Sequence, residues 1–208
     1  MKKGQDYIQD IAEIRSMMER SSKFLSLSGW AGIMAGLYAL VGAYIAYFVY
    51  DFRPKAIYYE TSGQGTLPPN FLPILFLAIA VLVLSVGTAV VLSAKKAVKN
   101  GEKIWNPTSR RLLATTAVPL VAGGVLILLL MMKGLTGLAA PLTLIFYGLA
   151  LFSASKFTYD DVRSLGLIQI ALGLAGTWAI EWSIPLWAVG FGLVHIIYGI
   201  YIHYKYER

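Results

Sequence analysis

No cysteine occurs in the 208 residues, which excludes disulfides, thiolate catalysis and cysteine-ligated metal. Histidine is nearly as scarce. His195 and His203 are the only two, and on one helix they stand about 12 Å apart along the axis, too far to share a metal ion. Charge is thin as well: 14% of the residues are Asp, Glu, Lys or Arg, against about 25% in soluble domains. The sequence contains no G-x-S-x-G, no G-x-x-x-x-G-K-[ST] and no H-E-x-x-H, and Ser26, Ser28 and Ser109 have no histidine near them in sequence. Neither an enzyme nor a cofactor or metal protein is expected. A cleavable leader is also not expected. The first apolar run begins near Phe24, is too long for a signal-peptide core and lacks an A-x-A site, so it reads as an uncleaved anchor.

What the chain has instead is apolar sequence in long runs, 57% of its residues. Divided at the polar breaks, the runs give six spans at residues 24–50, 71–94, 111–132, 137–155, 165–180 and 186–204, each near the length needed to cross a bilayer. The fold class is therefore an all-α integral membrane protein. Local signals set several boundaries. Asn100-Gly101 should stop the second helix, and Asn106-Pro107 suits an N-cap followed by proline at the first helical position. Pro119 should kink the third span, with Thr115 or Thr116 re-satisfying the freed carbonyls. Gly32-x-x-x-Gly36 has the spacing that lets two helices approach closely.

Residues 95–111 form a basic island between apolar runs, holding Lys95, Lys96, Lys99, Lys103, Arg110 and Arg111. Together with the N-terminal segment, the 156–163 loop and the C-terminus it carries fifteen of the eighteen Lys and Arg residues; the alternate loops carry three. The positive-inside rule then puts both termini in the cytoplasm. Trp178, Trp182 and Trp187 fall at the outer interface and Tyr204 and Tyr206 at the inner one, where interfacial rings are expected. The formal charge of +7 sits at juxtamembrane positions, so the six basic residues of the island are expected to contact anionic lipid head groups, not nucleic acid. Residues 1–23 read as a cytoplasmic amphipathic helix, with Tyr7, Ile11, Ile14 and Met18 on one face. It either lies along the membrane or forms a short seam with a second copy.

The second, fourth and sixth spans end alike, with Gly87, Gly148 and Gly199 at equivalent places. This suggests three tandem helical hairpins of one orientation, parallel repeats unlike the inverted repeats of many transporters. That architecture resembles the HdeD-type acid-stress membrane proteins. The stretches SMMERSSKFLSLSGWAGIMAGLYALVGAY, KIWNPTSRRLL and LIFYGLALFSASKFTYDDVR resemble a family of small bacterial integral membrane proteins with no assigned reaction. The resemblance implies a bacterial inner-membrane protein and transfers no site.

No Asp, Glu, Lys or Arg lies in the core of a span, which argues against an ion-coupled pump, since intramembrane charge marks such pathways. Milder polar groups remain. His195 is at the midpoint of the sixth span, with Tyr198 a turn further on; Tyr147 and Tyr38 share its depth, and Gln169 lies in the fifth span. These five residues are the candidates to bind a polar ligand or to respond to pH. The plainer reading is that His195 donates to a facing carbonyl or hydroxyl and joins helices. On balance the residues favour a non-catalytic membrane protein with a sensory, regulatory or scaffolding role through its basic surface, in contact with lipids and with a second copy or a cytoplasmic protein. A small-molecule transporter or channel with a midplane pocket near His195 is the alternative, and an enzyme acting on lipid is a third.

Overall fold

A computed structural model of the chain describes residues 27–53, 70–101 and 105–207. The amphipathic helix expected in residues 1–23 lies outside them, as do Lys103 and most of the loop that follows the first span. Among the described residues the chain is helical, with no strand. The elements are α1 (Gly29–Tyr44), α2 (Phe71–Lys99), α3 (Pro107–Met132), α4 (Ala139–Ala154), α5 (Asp161–Trp178), α6 (Ser183–Trp187) and α7 (His195–Tyr206). A π-helical turn, Ile45–Val49, prolongs α1, and a longer one, Ala188–Val194, joins α6 to α7. Among the described residues five helical runs are long and apolar enough to cross a membrane: Gly29–Val49, Leu72–Lys99, Pro107–Met132, Thr136–Phe157 and Ile180–Tyr206. The helix left out, α5, has 18 residues, about 27 Å at 1.5 Å per residue. Asp161 and Arg163 stand in its first turns and Gln169 near its middle. Its polar character is accommodated because Val162, Leu165, Gln169 and three glycines are buried against protein.

The helix boundaries follow the local chemistry. Asn100 caps α2 and Gly101 follows at φ 70°, the left-handed conformation glycine adopts freely. Asn106 caps α3, its side chain accepting from the Ser109 N–H while the Ser109 hydroxyl accepts from the Asn106 N–H, with Pro107 next in line. After α3, Leu135 N–H reaches Leu130 O and Gly134 N–H reaches Met131 O, the paired bonds of a Schellman end. Thr116 behaves differently from expectation: its hydroxyl donates to Leu112 O and Leu113 O. The carbonyl four residues before Pro119 is that of Thr115, which this bond does not reach.

Packing is most extensive between α4 and α5, followed by α1 with α7, α3 with α4, and α1 with α2. Glycine explains the first two. A Cβ at Gly148 would stand 2.6 Å from Gly166 O, and one at Gly166 would stand 2.7 Å from Gly148 O, so the two backbones are in contact. At the other crossing a Cβ on Gly199 would stand 2.5 Å from Gly29 O, and one on Gly36 2.7 Å from Gly192 O. Without water to drive apolar faces together, such backbone-to-backbone approach is what holds membrane helices. Gly87, aligned in sequence with Gly148 and Gly199, has no neighbour within 4 Å. Correspondingly, none of the most apolar stretch of α2 is buried and only 6% of that of α3 is. The closest backbone approaches thus join helices of different sequence hairpins, and the α2 and α3 faces stay open.

Candidate functional site

The polar groups of the bundle interior meet where the π turn Ala188–Val194 passes α4 and α5. A π turn loosens the regular backbone ladder, and here the Gly190 carbonyl accepts from two side chains, Gln169 Nε2 at 2.8 Å and His195 Nδ1 at 2.8 Å. A carbonyl can only accept, so Nδ1 carries the proton of the neutral ring. His195 Nε2 is then an acceptor, and the Tyr147 hydroxyl donates to it at 2.9 Å. Phe191 stacks on the His195 ring and Tyr147 lies tilted against it, and Trp187 packs on Phe191 while its indole N–H donates to Thr143 Oγ1 at 3.0 Å. Gln169 is fully buried and His195 nearly so.

Three of the five residues singled out in sequence therefore meet: His195, Tyr147 and Gln169. Tyr38 does not; its hydroxyl faces Thr88 Oγ1 on α2 at 3.4 Å. Tyr198, a turn beyond His195, packs with Tyr159, Val162 and Ile202 instead. Position along each helix was legible in the sequence, but the direction a side chain takes around its helix was not. Trp187, grouped in sequence with the interfacial Trp178 and Trp182, is likewise turned inward, whereas the other two are 93% and 65% exposed.

Inside this cluster one atom is unsatisfied. Gln169 Oε1 is buried and has no hydrogen-bond partner among the described residues. Exchanging the amide's O and N would set two acceptors against each other at Gly190, so the orientation is fixed by chemistry. A Cβ at Gly190 would stand 2.6 Å from Leu144 Cδ2 and 2.7 Å from this oxygen, so a side chain there would displace both. Ser183 Oγ and the Tyr198 hydroxyl are likewise buried without a partner among the described residues.

A second polar centre closes one end of the bundle. Glu207 accepts from Lys96 Nζ at 3.0 Å, His203 Nδ1 at 2.6 Å and the Gly29 N–H at 2.9 Å. Lys96 also donates to Leu27 O at 2.7 Å and lies 3.4 Å from the Tyr159 hydroxyl. This joins the start of α1, the end of α2, the turn before α5 and the end of α7. Burial pushes the Glu207 carboxyl up, but the His203 ring, the Gly29 N–H and the Lys96 ammonium together hold it down at about 2. Beside it, Asp161 pairs with Lys205 at 2.9 Å and accepts from Tyr206 and Tyr201. Of the basic residues expected at lipid head groups, Lys96 is thus turned inward with a side chain only 16% exposed, while Lys95, Lys99, Arg110 and Arg111 are exposed. No group of three or more His, Asp or Glu side chains suited to a metal occurs among the described residues. No protein-family model, no curated protein and no solved structure matches this chain.

Proposed function

We propose that the chain is a bacterial inner-membrane protein of six spans in three hairpins, both termini cytoplasmic, that acts without catalysis as a sensory, regulatory or scaffolding component through its basic cytoplasmic surface. The observation that carries this reading is the division of polar groups between the two centres. At midplane His195, Tyr147, Gly190 and Gln169 turn most of their hydrogen-bonding capacity on one another, which is how polar groups join membrane helices. At the charged end one carboxylate ties three segments together and leaves Lys95, Lys99, Arg110 and Arg111 facing outward. A surface built on a braced end is suited to holding a partner.

The absence of cysteine makes a direct test clean. Asn100→Cys is expected to react with an impermeant thiol reagent only in inverted vesicles, and Glu181→Cys only in intact cells. A photocrosslinker on Asn100→Cys should give an adduct of fixed mass with a soluble protein, and one on Glu181→Cys should not. Labelling of Asn100→Cys from outside defeats the orientation; equal adducts from both ends defeat the role given to the basic surface.

The unsatisfied Gln169 Oε1 favours a second reading, a midplane pocket whose ligand donates to that oxygen. The two readings separate at Gln169→Met, which matches the side chain in length. If the cluster only joins helices, Gly190 O keeps its bond from His195 and a buried orphan acceptor, worth about 1–3 kcal/mol when left unmade, is removed. Stability in detergent should then change by less than about 1 kcal/mol, offset by the lost bond to Gly190. The pocket is favoured instead if Gln169→Met leaves stability within that range but loses a small molecule that the native protein carries through purification, read by native mass spectrometry.

A further inference from the structure

We infer that a groove along the first three turns of α3 binds an anionic glycerophospholipid, with Arg110 and Arg111 on the phosphate and Ala114 and Ala117 along an acyl chain; this rests on the basic face lying at head-group level, as proposed above. The groove has a volume of about 650 Å³ and is lined by Trp105, Arg110, Arg111, Leu113, Ala114 and Ala117 among others. Its walls change character along its length. At the start of α3 stand the two guanidinium groups and the 67% exposed ring of Trp105; further in, the lining is aliphatic and small. From Pro107 to Ala117 the helix rises about 15 Å, enough for a phosphate ester and the upper part of a chain.

Charge points to the occupant. Elsewhere on this face Lys96 and Lys205 have internal counter-ions, Glu207 and Asp161, while the exposed Lys95 and Lys99 stand apart from this groove. Arg110 and Arg111 form no ion pair among the described residues. The planar guanidinium holds a phosphate through two parallel N–H bonds, and two adjacent ones hold it more firmly than scattered lysines would. The helix terminus is not the anion site, because Asn106 already satisfies the Ser109 N–H and Pro107 has none to offer. The apolar half is open to lipid, since α3 is scarcely buried by the rest of the chain. A soluble anion would use the arginines and leave the aliphatic half unfilled. A lipid fills both.

The test is lipid retention by the full chain in a neutral detergent, read by native mass spectrometry with phosphatidylglycerol or phosphatidylcholine added. Native protein should keep one phosphatidylglycerol at least tenfold more tightly than phosphatidylcholine. Arg110→Gln with Arg111→Gln should abolish that preference, and Ala117→Trp, which fills the groove and keeps the charge, should weaken retention as much. Lys95→Gln with Lys99→Gln should leave it unchanged. Unaltered retention in the arginine variant, equal loss in the lysine variant, or full displacement by millimolar inorganic phosphate would each overturn the proposal. Retention in detergent does not depend on which face is cytoplasmic, so its failure is distinguishable from a failure of the orientation or of partner binding. Thermal unfolding of each variant checks that the fold is kept.

Discussion

Gly148→Leu is expected to separate the most tightly packed helix pair and to destabilise the bundle severely, whereas Gly87→Leu leaves it unchanged. The two glycines occupy aligned places in the sequence, so helix propensity is the same for both. Their surroundings differ. A Cβ at Gly148 meets Gly166 O at 2.6 Å, Ile170 Cγ1 at 2.7 Å and Ile170 N at 2.9 Å. The isoleucine side chain can rotate; the two backbone atoms cannot. The clash is relieved only by moving α4 off α5. That loses contacts along the interface and draws Gln169, which α5 carries, away from Gly190. Overpacking typically costs about 1–3 kcal/mol and more where backbone must shift, so the variant should lie at or above the top of that range. Gly166→Leu should match it, because its Cβ meets Gly148 O at 2.7 Å and Phe152 N at 2.8 Å. Gly87 has nothing within 4 Å, so leucine there adds only lipid-facing surface. Unfolding midpoints in one detergent measure all three, and equal midpoints for Gly148→Leu and Gly87→Leu would sink the account.

That comparison shows what the sequence carries and what it does not. Hydropathy and the Asn100-Gly101 and Asn106-Pro107 signals are local, so the helices and their ends could be read directly. Gly148 and Gly199 stand out in the sequence only by their alignment with Gly87, and nothing local distinguishes the three. The partner of Gly148, like that of Gly199, is a glycine on another helix, and small residues carry no mark of which helix they face. Depth alone brought His195, Tyr147 and Gln169 together, because residues at one level of a small bundle are often neighbours. It brought Tyr38 with them wrongly, since a rotation about α1 turns that ring to Thr88. The least legible feature is the Lys96–Glu207 pair. Counting charge along residues 95–111 assigns every lysine to the membrane surface, and the counter-ion of Lys96 lies 111 residues away. A hydrogen-bond ledger of buried groups finds such pairs; a charge count does not.

Glu207→Gln is expected to weaken the folded state and to remove a specific acid sensitivity. Both carboxylate oxygens of Glu207 are used: one takes the Lys96 ammonium and the Gly29 N–H, the other the His203 ring at 2.6 Å. An amide offers one acceptor oxygen and turns an NH2 against donors on the other side. The side chain is 12% exposed and that of Lys96 16%, so the loss should lie between the about 0–1 kcal/mol of exposed pairs and the about 3–5 kcal/mol of breaking a fully buried one. Lys96→Met should cost a similar amount, because it too leaves one charge of the pair without its counter-ion. The pH dependence follows from the carboxyl's low value in the folded state. It titrates at about 2 when folded against an ordinary 4.5, so the folded state binds its proton less readily than the unfolded chain does. Its contribution is therefore complete above about pH 4.5 and is lost as pH falls toward 2. Burial raises the Asp161 carboxyl but its bonds from Lys205 and Tyr206 hold it below its ordinary value, so it too adds acid sensitivity and the quantity to measure is the difference between two curves. The unfolding midpoints of native protein and Glu207→Gln should be well separated at pH 5 and converge as pH approaches 2. A separation that stays constant across that window would show that Glu207 is not held ionised by Lys96, His203 and Gly29, and the brace at this end of the bundle would have to be assigned to other residues.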